Sequence, residues 1–494
     1  MRNLGLAAAI VVAMAGAAQA QDAGELISKQ YDDGSVYEGT FVNGLQDGIG
    51  TYRLPNGYEY TGEWIGGEIR GKGVAHYPNG SVYAGQFQAG KPEGKGKITF
   101  ADGGTYEGDW QDGQMTGKGR ADYANGSIYV GDFVDGKHQG KGKITDANGY
   151  SYDGDWQAGE KQGNGTIRYP DGTTYIGALV NGARQGTGTL TMPNKLVYIG
   201  AWRGGQINGL GKLTQPNGDV YEGDFVDGLR FGKGTETYAN GDVYKGSFKA
   251  DKRDGAGTFT AKDGSSYTGD WAAGQMQGQG RMTYADGSVY EGSFKADQPD
   301  GAGKITYADG SSYNGQWLNG AITGQGSAVY ANGATYTGAL LAEKPEGIGT
   351  MAYPDGFRYE GAWKAGVREG AGTATWADGT VYKGDFKAGL RDGKGALTQP
   401  DGFSYTGDWV AGAMQGTGVA TYPSGDIYEG GFVAGKREGA GKLTYKGGEI
   451  SEGMWKAGVM VGPLAGAPAA ADPADVTPAD GAAPAEGAAA PVNP

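Results

Sequence analysis

Hydrophobic and polar positions recur along most of the chain with a fixed spacing of 23 residues. The stretch NGDVYEGDFVDG, Asn217 to Gly228, shows the first half of one period: Tyr221, Gly223 and Phe225 alternate with Glu222 and Asp224. Residues two apart share one face of a β-strand, so the pattern predicts a short strand with an aromatic face and a polar face. The same Tyr-x-Gly recurs eighteen times at intervals of 23, from Tyr37 through Tyr60 and Tyr83 to Tyr428, and a nineteenth unit continues with Ser451 in the tyrosine's place. Four residues after each tyrosine stands a large apolar residue, and nine of the ten tryptophans lie in that column. After a turn near Gly44, Gly67 or Gly90, a second run reads Gly-x-Gly-x-apolar-x-aromatic, as in Gly94, Gly96, Ile98 and Phe100. Asn56-Gly57, Asn79-Gly80 and Asp102-Gly103 then turn the chain into the next period, a strong hairpin signal.

Each period is therefore a β-hairpin. The fold expected is all-β: an elongated, single-layer antiparallel β-hairpin repeat array, a meander rod of about nineteen 23-residue units. Two strands per unit, each about 4.8 Å wide, would extend it over roughly 180 Å before twist and curvature. A glycine facing a ring leaves room for that ring to lie flat on the backbone, which offsets the entropic cost of glycine inside a strand.

The array is expected over 31–462, with a half-unit at Tyr31-Asp32-Asp33-Gly34 supplying a leading strand and Pro463, which lacks an amide proton, ending the ladder. Residues 1–20 combine Arg2, an apolar run from Leu4 to about Ala15 and small residues at Ala18 and Ala20, the pattern of a cleaved secretory signal. Residues 21–30 would be a leader, and 463–494, rich in Pro and Ala and acidic, a disordered tail. The chain is thus expected to be exported, to the periplasm or outside the cell, with no integral membrane segment after signal cleavage.

Composition narrows the function. A glycine count of 101 in 494 residues would suggest disorder but for the 32 tyrosines. A formal charge of -14 repels phosphate backbones and anionic lipid surfaces, which argues against nucleic acid. The absence of cysteine excludes disulfides and thiolate metal sites. The carboxylates of Asn217–Gly228 resemble a catalytic or calcium-binding cluster, but the place of Glu222 is held elsewhere by Thr61, Ala84 and Lys245, and that of Asp224 by Thr40, Gln86 and Ala201. They read as a solvated strand face. His76 and His138 fall in different columns and read as surface residues. No catalytic residue, metal site or cofactor is expected.

The unit YxGxWxxGxxxGxGxxxxxxGxxY resembles the MORN repeat, and VYEGDFVDGLRFGKGTETYANGDVYKG is close to its usual form. The resemblance covers almost the whole chain after the signal. It implies an elongated antiparallel sheet with an aromatic groove, used in scaffolding, protein binding or dimerisation and, in some members, phospholipid contact. In several proteins such repeats accompany a catalytic domain, and no sequence remains here to house one.

A single layer would leave some rings uncovered. The candidate partner-binding aromatic face comprises Tyr60, Trp64, Tyr106, Trp110, Tyr152, Trp156, Tyr198, Trp202, Tyr267, Trp271, Tyr313, Trp317, Tyr359, Trp363, Tyr405 and Trp409. Phe and Trp also alternate along the apolar column up to Phe225, where Phe248 breaks the rhythm, and then alternate again to Trp455. This suggests a true period of 46 residues, with Met115, Ile207, Met276, Ile322 and Met414 as an apolar turn row projecting toward a partner or a second copy. The function read from these features is an exported, non-enzymatic scaffold for protein interaction or self-association. The alternative is an envelope glycan-binding protein, and phospholipid contact ranks below both.

Overall fold

The computed structural model describes residues 26–464. The segment read as a signal, 1–20, and all but the first two residues of the segment read as a tail lie outside them. The described residues form 39 strands and no helix, from β1 (Leu26–Gln30) and β2 (Val36–Val42) through β3 (Leu45–Arg53) to β38 (Ile450–Lys456) and β39 (Val459–Pro463). They fall into two compact units, one ending at Gly228 and the other beginning at Leu229. Within each, consecutive strands pair antiparallel as a meander, for example β2 with β3 in the first and β38 with β39 in the second.

The array starts earlier than its sequence suggests. The leading strand is Leu26–Gln30, paired with β2 from Leu26↔Thr40 to Gln30↔Val36, and Tyr31–Gly34 is the turn that follows. An unpaired β2 edge would expose a row of amides and carbonyls, and the residues assigned to a leader satisfy it.

The two turns of each unit divide their work differently from the sequence expectation. The tight two-residue turn, with φ positive at both positions, is Asn43-Gly44 (φ 54° and 80°) and its equivalents such as Ala89-Gly90. The Asn-Gly turns close a longer loop: Gly57 N–H donates to Leu54 O, Leu54 N–H to Tyr58 O, and Asn56 Oδ1 accepts from Tyr58 N–H, an Asx turn with only the glycine left-handed.

Register explains the Gly-x-Gly. Gly39 pairs with Gly50, but Phe41 pairs with Gln46, so Thr40 alone faces three residues of β3. The first glycine of the motif, Gly48 (φ 93°), lies in this bulge and needs the left-handed conformation. The second sits under a ring. A Cβ added to Gly188 would stand 2.5 Å from two atoms of the Tyr175 side chain, and one added to Gly177 2.6 Å from both the Tyr175 hydroxyl and the Gly188 Cα. Tyrosine thus lies flat on a two-glycine floor, and its hydroxyl donates to the carbonyl three residues on, as Tyr175 does to Ala178 (2.9 Å) and Tyr152 to Asp155 (2.7 Å).

Because the floor leaves no room for a methyl group, Gly188→Ala is expected to destabilise the first unit by about 1–3 kcal/mol, the usual cost of overpacking. Denaturant unfolding would read this as a lower midpoint. Combined with Tyr175→Leu, the loss should be smaller than the sum of the two single losses, since both changes act on one contact.

Candidate functional site

The column tyrosines join into a ladder of rings within each unit, interrupted only where Leu179 and Leu340 take the place of Phe or Trp. Tyr37 meets Phe41 of its own hairpin edge to face at 5.1 Å and Trp64 of the next at 5.1 Å; Tyr60 does the same with Trp64 and Phe87. Such pairs add about 0.5–1.5 kcal/mol each beyond area burial. Each column tryptophan is also tied to the preceding hairpin: Trp156 Nε1–H donates to Gly142 O at 2.9 Å and Trp363 Nε1–H to Gly349 O at 3.0 Å.

This packing corrects the expectation of an open aromatic face. Tyr60, Trp64, Tyr106, Trp110, Tyr152, Trp156, Tyr198, Trp202, Tyr267, Trp271, Tyr313, Trp317, Tyr359, Trp363, Tyr405 and Trp409 are all buried, none more than 7% exposed. Burial pushes the phenols of Tyr106 and Tyr198 up to about 12. The cover comes from the residue nine places after each tyrosine, which pairs across the tight turn with the Phe or Trp and folds over the rings. His138 shows the arrangement: its ring stacks on Tyr129 at 3.6 Å and meets Trp156 edge to face at 4.7 Å. It also hydrogen-bonds the Tyr123 hydroxyl at 2.7 Å. Burial holds its pKa down at about 4; half-buried among these rings, His138 is part of the cover and not the surface residue expected, whereas His76 is exposed as expected.

The apolar turn row occupies this same covering position. Met115, Ile207, Met276, Ile322 and Met414 are second residues of their strands, each paired with a tryptophan: Trp110, Trp202, Trp271, Trp317 and Trp409. Ile322 and Met414 are buried and the other three half-buried. They do not project. A residue at the second place of a strand beginning one step past a two-residue turn points to the aromatic face, and this parity is what the turn reading missed.

The 46-residue rhythm acquires a packing reason. Four Phe or Leu hairpins carry in the covering position an arginine, Arg184, Arg253, Arg391 or Arg437, that reaches the tryptophan of the following hairpin. The guanidinium carbon of Arg184 lies 4.2 Å from the Trp202 ring centre, that of Arg391 4.6 Å from Trp409 and that of Arg437 4.3 Å from Trp455. A flat cation on an indole suits both shapes, and the smaller Phe or Leu alternates with the larger Trp that follows.

At the break in this rhythm two successive hairpins carry arginine, Arg230 and Arg253, and the intervening inward position is Glu236, where every other hairpin has an apolar or aromatic residue such as Ala75, Leu213 or Phe259. Arg230 Nη1 and the Tyr238 hydroxyl both donate to the Glu236 carboxylate, and Arg253 Nη2 donates to the Tyr238 hydroxyl. Arg230 also donates to Asp251 O at 2.7 Å. Glu236 is buried, and its charge is matched by the two arginines it links.

The outward carboxylates are not merely solvated. Asp109 Oδ2 accepts from the Lys118 amide at 3.0 Å and Asp155 Oδ2 from the Asn164 amide at 3.0 Å, so this column closes the bulge. Its other oxygen holds a lysine of the preceding hairpin, as Lys141 Nζ to Asp155 at 2.5 Å. Among the described residues no three His, Asp or Glu side chains converge as metal ligands.

Sequence reasoning missed one exposed feature. The residue five after each tyrosine, and often the first residue of the next strand, flanks the tight turn with its side chain outward. In the first unit these include Val42, Leu45, Ile65, Val134 and Val180; in the second, Leu318, Leu341, Val367, Leu390, Val410 and Val433. Because the place is held by Lys or Gln in other hairpins, such as Gln111 and Lys249, no single period announces it.

The family model described as MORN repeat matches eighteen segments, from residues 37–57 to 428–450. Alsin of Rattus norvegicus is 48% identical over 50 residues, 9% of this chain and 3% of Alsin. Alsin of Homo sapiens is 44% identical over 50 residues with the same shares. The match thus spans 3% of the length of these relatives. Among solved structures, the TCP domain of Drosophila melanogaster SAS-4, in complex with a proline-rich motif of Ana2, is similar at 16% identity and a TM-score of 0.21, over 31% of this chain and 85% of that one. The TCP10 domain of Danio rerio CPAP is similar at 13% identity and a TM-score of 0.12, over 54% of this chain and 97% of that one. Overlaps of that quality carry no argument about function.

The charge at Glu236 belongs to a network, and a variant series exposes it. Glu236→Leu places one of the column's apolar residues there but removes the carboxylate that Arg230 shares with Tyr238, and should destabilise the second unit by about 2–4 kcal/mol. Arg230→Met added to Glu236→Leu should recover most of that loss in thermal unfolding, because the pair is then replaced by apolar packing.

Proposed function

We propose that this chain, which belongs to the MORN repeat family, is an exported scaffold that engages a protein partner, or a second copy of itself, along the tight-turn edge of its hairpins. MORN repeats are a non-catalytic repeat type, suited to scaffolds for protein or membrane interaction. The ring ladder is the scaffold's core, and an enzymatic role finds no support in it. Support for a protein surface comes from the exposed apolar row beside the tight turns: Ile65 is 53% exposed, Leu341 59% and Val433 48%. Residues of this kind, recurring along an edge, bury apolar area on contact with a second protein.

Several features favour a protein over other ligands. A glycan platform requires rings open to solvent, and Trp317 and Trp363 are covered. The acidic balance disfavours anionic head groups. Export rests on the Arg2, apolar and Ala18/Ala20 pattern of residues 1–20.

The row is tested with the full chain by replacing Leu318, Leu341, Val410 and Val433 with serine. The expected result is loss of self-association in sedimentation velocity, or of partner capture from envelope extracts, with the melting temperature little changed. Mass and capture both equal to the parent chain would sink the proposal.

A further inference from the structure

Three covering arginines of the second unit, Arg253, Arg391 and Arg437, sit in a common frame of rings. Around Arg253 it consists of Tyr238, Tyr244, Phe259 and Trp271, whose ring centres lie 5.5, 4.8, 5.0 and 4.9 Å from the guanidinium carbon. Arg391 sits in the corresponding frame of Trp376, Tyr382 and Trp409, and Arg437 in that of Tyr422, Tyr428 and Trp455. The spacings are constant: fifteen and nine residues before the arginine, and eighteen after it.

The same frame around residue 322 has kept its tyrosines and lost its filling. Counting the same spacings gives Tyr307, Tyr313, Ala328 and Leu340 around Ile322. Isoleucine replaces the arginine, alanine the phenylalanine and leucine the tryptophan. All five residues line a cavity of about 570 Å³ whose lining also includes Tyr330, Met351 and Tyr353. Compared with the Arg253 frame, the smaller side chains at these three places leave open a space that a guanidinium fills there.

Two further observations give the cavity a preference. The Tyr330 hydroxyl is buried and has no hydrogen-bond partner among the described residues, so its oxygen receives no donor and its proton meets no acceptor. The lining carries three carboxylates, Asp286, Asp309 and Glu343, against one ammonium, Lys344. Rings that accept a cation, an acceptor without a donor and a net negative lining all favour the same ligand chemistry.

We infer that this cavity is a binding site for a guanidinium group, supplied by an arginine side chain of a partner peptide or by free arginine. The site does not depend on the turn-edge row, and its ligand enters where the chain's own arginines sit in other hairpins. Guanidinium is favoured over ammonium because a flat cation both stacks on the tyrosines and presents several donors to Tyr330 and the carboxylates.

Titration calorimetry on the full chain tests this with N-acetyl-arginine methylamide, its citrulline counterpart and free L-arginine. The arginine amide should bind at least about tenfold more tightly than the citrulline amide, which keeps the shape without the charge. Comparable binding by free arginine would assign the source to the small molecule, whereas binding of the amide alone would assign it to a peptide. Ile322→Arg, which supplies the frame with its own guanidinium, should abolish binding while the melting temperature stays the same or rises. Ala328→Phe, which fills the same space without charge, should also abolish it. Failure of both arginine compounds to bind the parent chain would overturn the inference. So would equal binding of arginine and citrulline amides, or undiminished binding in folded Ile322→Arg.

Discussion

Everything in this array depends on a tyrosine ring lying flat on two glycines of adjacent strands. The contact fixes three things at once. It excludes any side chain from the floor, so glycine recurs at both positions. It buries the phenol ring while its hydroxyl is satisfied by a carbonyl three residues on, as Tyr175 does with Ala178. It also leaves the ring's edges free to meet the Phe or Trp of the same hairpin and of the next. A single-layer sheet has no second layer to form a core against. Here the core is built on one face from rings, with the residue nine after the tyrosine as its lid.

That lid carries most of the variation. Arginine, histidine, proline, methionine and isoleucine all occur there, and each solves the cover differently. Where arginine precedes tryptophan, the pair is a flat cation on an indole. Where Arg230 and Arg253 fall in succession, Glu236 enters the ring face between them, whereas between Arg368 and Arg391 the same place is Ala374. Where isoleucine meets alanine and leucine, around Ile322, a cavity opens. The slip in the Phe/Trp rhythm between Phe225 and Phe248 is therefore accompanied by a change in chemistry.

The repeat, its strands and the reason for the glycines were legible in the sequence, because period 2 within a strand and period 23 along the chain both follow from backbone geometry. The ring face was legible too, but its exposure was not. Whether Tyr60 or Trp64 is open depends on what folds over them, and the lid is set by a bulge that changes strand parity between Gly39 and Phe41. The same parity moved Met115 and Ile207 from a presumed turn to the inner face, and left Val134 and Val180 outside. Asp109 and Asp155 looked dispensable because their column varies, yet they close bulges that glutamine also closes, as Gln86 does for Lys95. A feature supplied by several residue types is invisible to a search for one.

The sealed ladder is tested most directly by following tyrosine ionisation in ultraviolet absorbance while circular dichroism follows the sheet. Buried phenols are held above their ordinary value, Tyr37, Tyr106 and Tyr198 at about 12. A raised folded-state value contributes stability present below pH about 10 and lost as pH rises toward 12. The account predicts that the column tyrosines stay neutral at pH 10–11 and ionise in one steep step together with loss of the sheet. Gradual ionisation of most tyrosines near pH 10 with the sheet intact would contradict it.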